Sequence, residues 1–187
     1  FGTVDTWLLW HLTGGAVHAT DATNASRTML LNLHDLQWDP EMLNLFDVPE
    51  TMLPELRGSA DDFGAADKSV FGAEIPITAM AGDQHAALYG QACFRNGQIK
   101  CTYGTGAFVL ANRGSTPPIQ QSGPGDTGLL ATLGFQVGSK RHYAIEGSVF
   151  VTGATVQWLR DGLGIISNPE ETSDMALMAG SNEGVYF

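Results

Sequence analysis

The sequence predicts an α/β protein in two parts, and three observations carry that prediction. Up to about residue 90, helix-type apolar spacing and capping signals frame one short apolar strand. From about residue 91 strand-like runs take over, joined at a Gly-Thr-Gly turn and followed by two helical patterns. The chain has 187 residues, 43% hydrophobic and only 16% charged, which is enough apolar material for a core and too much for wholesale disorder.

The elements follow in order. Residues 3–13 place Val4, Trp7, Leu8 and Leu12 at helical spacing, with Leu9 beside them, and Gly14-Gly15 supplies the stop. Trp7 and Trp10 are expected to pack. A polar stretch runs from Thr20 to Thr28. Asp39 reads as an N-cap, with Pro40 at the first helical position and Glu41 in the first turn; Met42, Leu43, Leu45 and Phe46 are the expected buried face. Pro49 and Pro54 break the chain after it. Residues 57–74 read as a surface loop, and Ile75–Ala81 as a strand running into Gly82-Asp83-Gln84, with a helix opening near His85. Gln98–Tyr103 and Ala107–Asn112 flank the glycine turn as a hairpin, and Leu129–Phe135 and Arg141–Ile145 extend it as a meander. Ser148–Leu163 reads as a helix with Gly153 inside it, where a glycine is costly and suggests close approach of another group. A last helix starts at Asn168-Pro169-Glu170-Glu171 and ends near Gly180.

Nine basic against 20 acidic residues give a net charge of −11, which argues against nucleic acid or an anionic membrane as partner. A phosphate ligand is still open, because backbone N–H groups hold phosphate without Lys or Arg. No apolar run reaches the ~18 residues of a membrane span. There are 23 glycines, where average usage gives about 13. Cys93 and Cys101 are expected to be two reduced thiols in a cytoplasmic protein. No signal peptide is evident and Phe1 already lies in a helix-like pattern, so the chain reads as a piece of something longer.

Three places can carry chemistry. Asp83 follows Gly82 at the carboxyl end of a strand, where open α/β sheets bind ligands, and a carboxylate there can take a proton from a hydroxyl. A simple helix cap is the alternative. The Gly104-Thr105-Gly106 turn can present N–H groups and a hydroxyl to an anion, or be an ordinary hairpin. The junction Glu146–Trp158 has small residues on one face, with Gln157 one turn beyond Gly153; it suits either an open helix N-terminus for phosphate or close helix packing. The five histidines show no metal-ligand spacing, so no metal ligand is assigned, and surface or satisfied core roles are expected for them.

Taken together, FGTVDTW, TDATNASRTML, WDPEML, IPITAMAGDQHAALYGQ, TYGTGAF and EGSVFVTGATVQWLRD resemble, in order and spacing, the glycerol-phosphorylating members of the FGGY carbohydrate-kinase family. The resemblance implies a ribonuclease-H-like fold of the actin and hexokinase type, with two domains closing on a cleft. Residues 1–90 would be the C-terminal part of the first domain and 91–187 the N-terminal part of the second. It implies ATP-dependent phosphorylation of glycerol, with Mg²⁺ accompanying ATP. Asp83 would be the general base, Gln84 a glycerol partner and Phe108 the ring against the glycerol carbons. Thr105 and Gly106 would lie at the ATP phosphates, and Gly153 and Gln157 on the nucleotide side. The resemblance also implies a cytoplasmic homo-oligomer as the full-length protein. The family's first phosphate loop and an Arg-Glu substrate pair would precede Phe1, and its adenine-binding glycine run would follow Phe187, so the chain alone is expected to be inactive. Two other readings stand beside this one: a family member acting on another polyol or a pentose, and a non-catalytic sugar- or nucleotide-binding module.

Overall fold

The protein is seen in a computed structural model that describes residues 1–118 and 128–185. They form two compact units, one of Phe1–Lys100 with Val109–Gly147 and the other of Cys101–Phe108 with Ser148–Phe187.

The first unit opens with α1 (Val4–Leu12), closed by Gly14 and Gly15 in left-handed conformations, as the glycine pair predicts. The helix turns an unexpected face inward. Thr6 and Leu9 are buried, while Val4, Trp7, Leu8 and Trp10 are largely exposed. Trp7 and Trp10 therefore do not pack in a core; their rings meet His11 at 4.4 Å and His18 at 6.0 Å. Leu9 instead joins Ala19 and Phe63 in a small core, with Ile77 and Met80 against it.

The polar stretch contains two elements that the sequence reading did not separate, β1 (Ala19–Asp21) and α2 (Ala22–Ala25). A two-stranded ribbon follows, β2 (Leu31–Asn32) with β3 (Gln37–Trp38). Next is α3 (Pro40–Leu45), capped by Asp39 with Pro40 in its first turn, as expected. Of its predicted buried face only Leu43 is buried; Leu45 and Phe46 are exposed, because one side of a short helix is all that Leu30 and Leu53 cover. β4 (Glu55–Arg57) runs parallel to β1, with Asp21 opposite Arg57.

The 57–74 segment is more ordered than a surface loop. Phe63 is fully buried, and β5 (Ala65–Ala66) and the exposed α4 (Lys68–Phe71) lie within it. The predicted 75–81 strand shortens to β6 (Ile75–Pro76), antiparallel to β5, plus a single bridge from Ala79 to Ala60. The helix after it, α5 (Asp83–Gly90), forms as expected.

β7 (Ile99–Tyr103) and β8 (Ala107–Gly114) form the predicted hairpin; β9 (Leu130–Val137) and β10 (Lys140–Val149) pair antiparallel, with a register shift between His142 and Tyr143. The strand order is β7-β8-β10-β9, so the meander expectation is corrected: β10, not β9, neighbours β8. α2 and α5 both pack on β9. In the second unit, α6 (Gly153–Asp161) is shorter than predicted, because Ser148 and Val149 belong to β10. Gly153 is thus the first helical residue and not an interior one. Trp158 is 45% exposed. α7 (Glu171–Ala179) ends at Gly180 in a left-handed conformation, as read from the sequence. Among the described residues no helix is long and apolar enough to cross a membrane, and both cysteines are free thiols.

Candidate active site

The predicted site residues fall in both units: Asp83 and Gln84 in the first, Thr105, Gly106, Phe108, Gly153 and Gln157 in the second.

In the first unit the site starts from Asp21, which is fully buried. A buried carboxylate must have its lone pairs met. Asp21 caps α2 by accepting the N–H groups of Thr23 and Asn24, each at 3.0 Å. It also accepts the Asn24 side-chain amide at 2.8 Å, the Ser59 hydroxyl at 2.6 Å and the Thr23 hydroxyl at 2.8 Å. The Thr23 oxygen in turn accepts the Gly82 N–H at 3.0 Å. Gly82 is the residue that caps α5, so this relay fixes where the helix begins and where Asp83 leaves it. Gly82 has no room for a side chain: a Cβ would lie 2.8 Å from His85 Nδ1.

Asp83 is thus the first helical residue and not the cap. It is exposed, and the N-terminal end of α5 favours a negative charge there. Its Oδ1 accepts the Gln84 backbone N–H at 2.8 Å and its Oδ2 accepts the Gln84 Nε2–H at 3.1 Å. Each oxygen keeps acceptor capacity for an incoming O–H. Gln84 is half-buried, and its carbonyl accepts from the Lys100 ammonium.

Behind the pair lies a buried polar row. His85 Nε2 stands 3.3 Å from Thr132 Oγ1, which is 2.9 Å from Ser26 Oγ. Arg27 donates to Glu146, itself 3% exposed, at 2.9 Å. Burial, then the charge of Arg27, lowers the His85 pKa to about 4, with Asp83 raising it and Lys100 lowering it further.

In the second unit the glycine turn is tied to the start of α6. Thr152 N–H donates to the Thr105 carbonyl at 2.8 Å, Gly153 N–H to the Gly104 carbonyl at 3.0 Å and Ala154 N–H to the Thr105 carbonyl at 3.2 Å. The close approach that Gly153 suggests is made by the hairpin's own backbone, since a Cβ on it would sit 2.5 Å from the Gly104 oxygen. A Cβ on Gly106 would sit 2.6 Å from the Val149 oxygen. Thr105 and Gln157 are exposed and Phe108 is half-buried.

Asp21, Thr23, Ser59 and Lys100 were missing from the residues singled out by sequence. Asp21 had a legible signal, an Asp followed by Thr and Asn at capping distance. Lys100 had none, because its partner lies on another element.

Solved structures share this fold. A glycerol kinase of Plasmodium falciparum, solved with ADP, superposes with a TM-score of 0.82 at 39% identity, over 92% of this chain and 34% of its own. A ligand-bound xylulose kinase of Lactobacillus acidophilus superposes with a TM-score of 0.74 at 22% identity, over 93% of this chain and 34% of its own. The chain therefore shares the fold of these kinases, the actin- and hexokinase-type ATPase fold. Residues 1–90 match the N-terminal domain of the FGGY family of carbohydrate kinases. A protein of Methylobacterium nodulans named glycerol kinase is 55% identical over all 187 residues. The chain is similar to the FGGY-family kinases through these matches. It spans 36% of the length of that relative, just over a third.

Proposed function

We propose that the chain is part of an enzyme that transfers the γ-phosphoryl group of ATP to a terminal hydroxyl of glycerol. The observation that carries this reading is the Asp83–Gln84 pair: an exposed carboxylate with spare lone pairs at a helix start, held from behind by the Asp21–Thr23–Gly82 relay. The 55% identity to a named glycerol kinase supports the choice of substrate.

In this reading the substrate hydroxyl donates to Asp83 and accepts from Gln84. As its oxygen bonds to the γ-phosphorus, the bond to the β–γ bridging oxygen breaks and ADP leaves. The hydroxyl proton passes to Asp83 and then to solvent. Phe108 offers a ring face to the substrate carbons. Thr105 and Gly106 offer N–H groups, and Thr105 its hydroxyl, to phosphoryl oxygens, the Gly104 N–H being given to the Gly106 carbonyl at 2.7 Å. Gly153 and Gln157 serve the nucleotide side, Gly153 by holding that turn through its bond to Gly104. Mg²⁺ would neutralise charge on the nucleotide phosphates, and the exposed Asp83 carboxylate has the free lone pairs to help hold it. Among the described residues no group of three or more His, Cys, Asp or Glu side chains is assembled for a metal.

The test is phosphoryl transfer by the whole protein, with glycerol compared against other polyols and pentoses. Selective turnover of glycerol is expected. Asp83→Asn should lower kcat by at least about 100-fold while the KM for glycerol changes little. Preference for a pentose or another polyol would move the substrate and keep the chemistry. Turnover of nothing on the panel would favour a binding module.

A further inference from the structure

Lys100 is 1% exposed, one of the most deeply buried side chains in the molecule. Lysine is almost never buried this far unless its charge is met. Its ammonium has three donors and no acceptor, and it donates to Gln84 Oε1. This contact decides something about Gln84. The two ends of an amide have nearly the same shape, and only their partners distinguish them. An ammonium cannot accept, so Gln84 must turn its oxygen toward Lys100. Its NH₂ group then points the other way, where it donates to Asp83 Oδ2 at 3.1 Å. The flipped amide would set nitrogen against ammonium and oxygen against carboxylate, two repulsive pairs at once.

We propose that Lys100 is a positioning residue that locks the Gln84 amide, so that a substrate group at Asp83 must donate to the carboxylate and accept from the amide. A hydroxyl does both; an ammonium can only donate. Lys100 thereby acts as a specificity determinant without touching substrate. The proposal rests on the kinase reading above and deepens it by assigning the residue that orients its substrate-binding pair.

The test is a double-mutant cycle in the whole protein, with the substrate that the wild type turns over best. Lys100→Met should raise the KM by about tenfold or more, the effect of one misdirected hydrogen bond, and change kcat less. In a Gln84→Ala background the same substitution should change KM by less than about twofold, because the group through which Lys100 acts is gone. Lys100→Gln serves as the second variant if the methionine variant does not fold: its amide can give or take, so it removes the discrimination and keeps the site polar. An unchanged KM in a folded Lys100 variant, or an equal rise in both backgrounds, overturns the proposal and leaves Lys100 a structural residue. A wild type that turns over nothing sinks the kinase reading and this proposal with it.

Discussion

His85 carries a pH dependence in one buried ring. It is 3% exposed, one nitrogen faces Thr132 and the other has no hydrogen-bond partner. Burial, helped by Arg27 and Lys100 and opposed by Asp83, brings its pKa to about 4. The unfolded chain, with an ordinary histidine pKa of about 6.5, binds the proton first as pH falls. The contribution of His85 to stability is therefore whole above pH 6.5 and is lost between there and pH 4, amounting to about 3 kcal/mol. Denaturant midpoints of the whole protein at pH 7 and pH 4.5 should differ by less in His85→Gln than in wild type. The sequence reading reached a core or surface role for His85 but not the orphaned nitrogen, which depends on what surrounds the ring. Arg27 and Glu146 were illegible for the same reason: they lie 119 residues apart, and neither has a local pattern that names the other.

Elements whose ends are set by local chemistry were the legible ones. Asp39-Pro40 starts α3 and Gly180 ends α7 where the sequence puts them, because a cap needs only its own neighbours. Faces and strand order were not legible. The buried side of α1 is Thr6 and Leu9 because Ala19 and Phe63 lie there, and β10 enters between β8 and β9 because pairing partners are chosen across the chain. The start of α6 shows how an element can be set by another's backbone. Gly153→Ala would drive a methyl group to 2.5 Å from the Gly104 oxygen. We expect a loss of about 1–3 kcal/mol, as for other overpacked sites, seen as a lower melting temperature. A raised KM for the nucleotide should accompany it, because the Gly104–Gly106 turn moves with the helix start.

At the scale of the molecule the two units differ in what they bury. Leu9, Phe63, Leu88, Leu110 and Leu133 are all buried in the first, whereas Ala107 and Ile166 are the buried apolar residues among those described in the second. α6 and α7 bury no residue fully, and Leu177 and Met178 are each 79% exposed. So little buried apolar area holds the segment weakly against the entropy of ordering it when the 187-residue chain stands alone. Limited proteolysis of the 187-residue chain should cut within residues 150–185, with fragment masses as the readout. Lys100 on Gln84, Arg27 on Glu146 and Arg57 on Glu55 are cationic side chains spent inside the first unit, in a chain of net charge −11. The bond from Gly82 to Thr23 reaches across 59 positions of sequence. On the proposed function, an inherited or selected allele at Thr23 or Asp21 would thus present as a defect in turnover, and a geneticist mapping such alleles would be led to two fully buried residues behind Asp83.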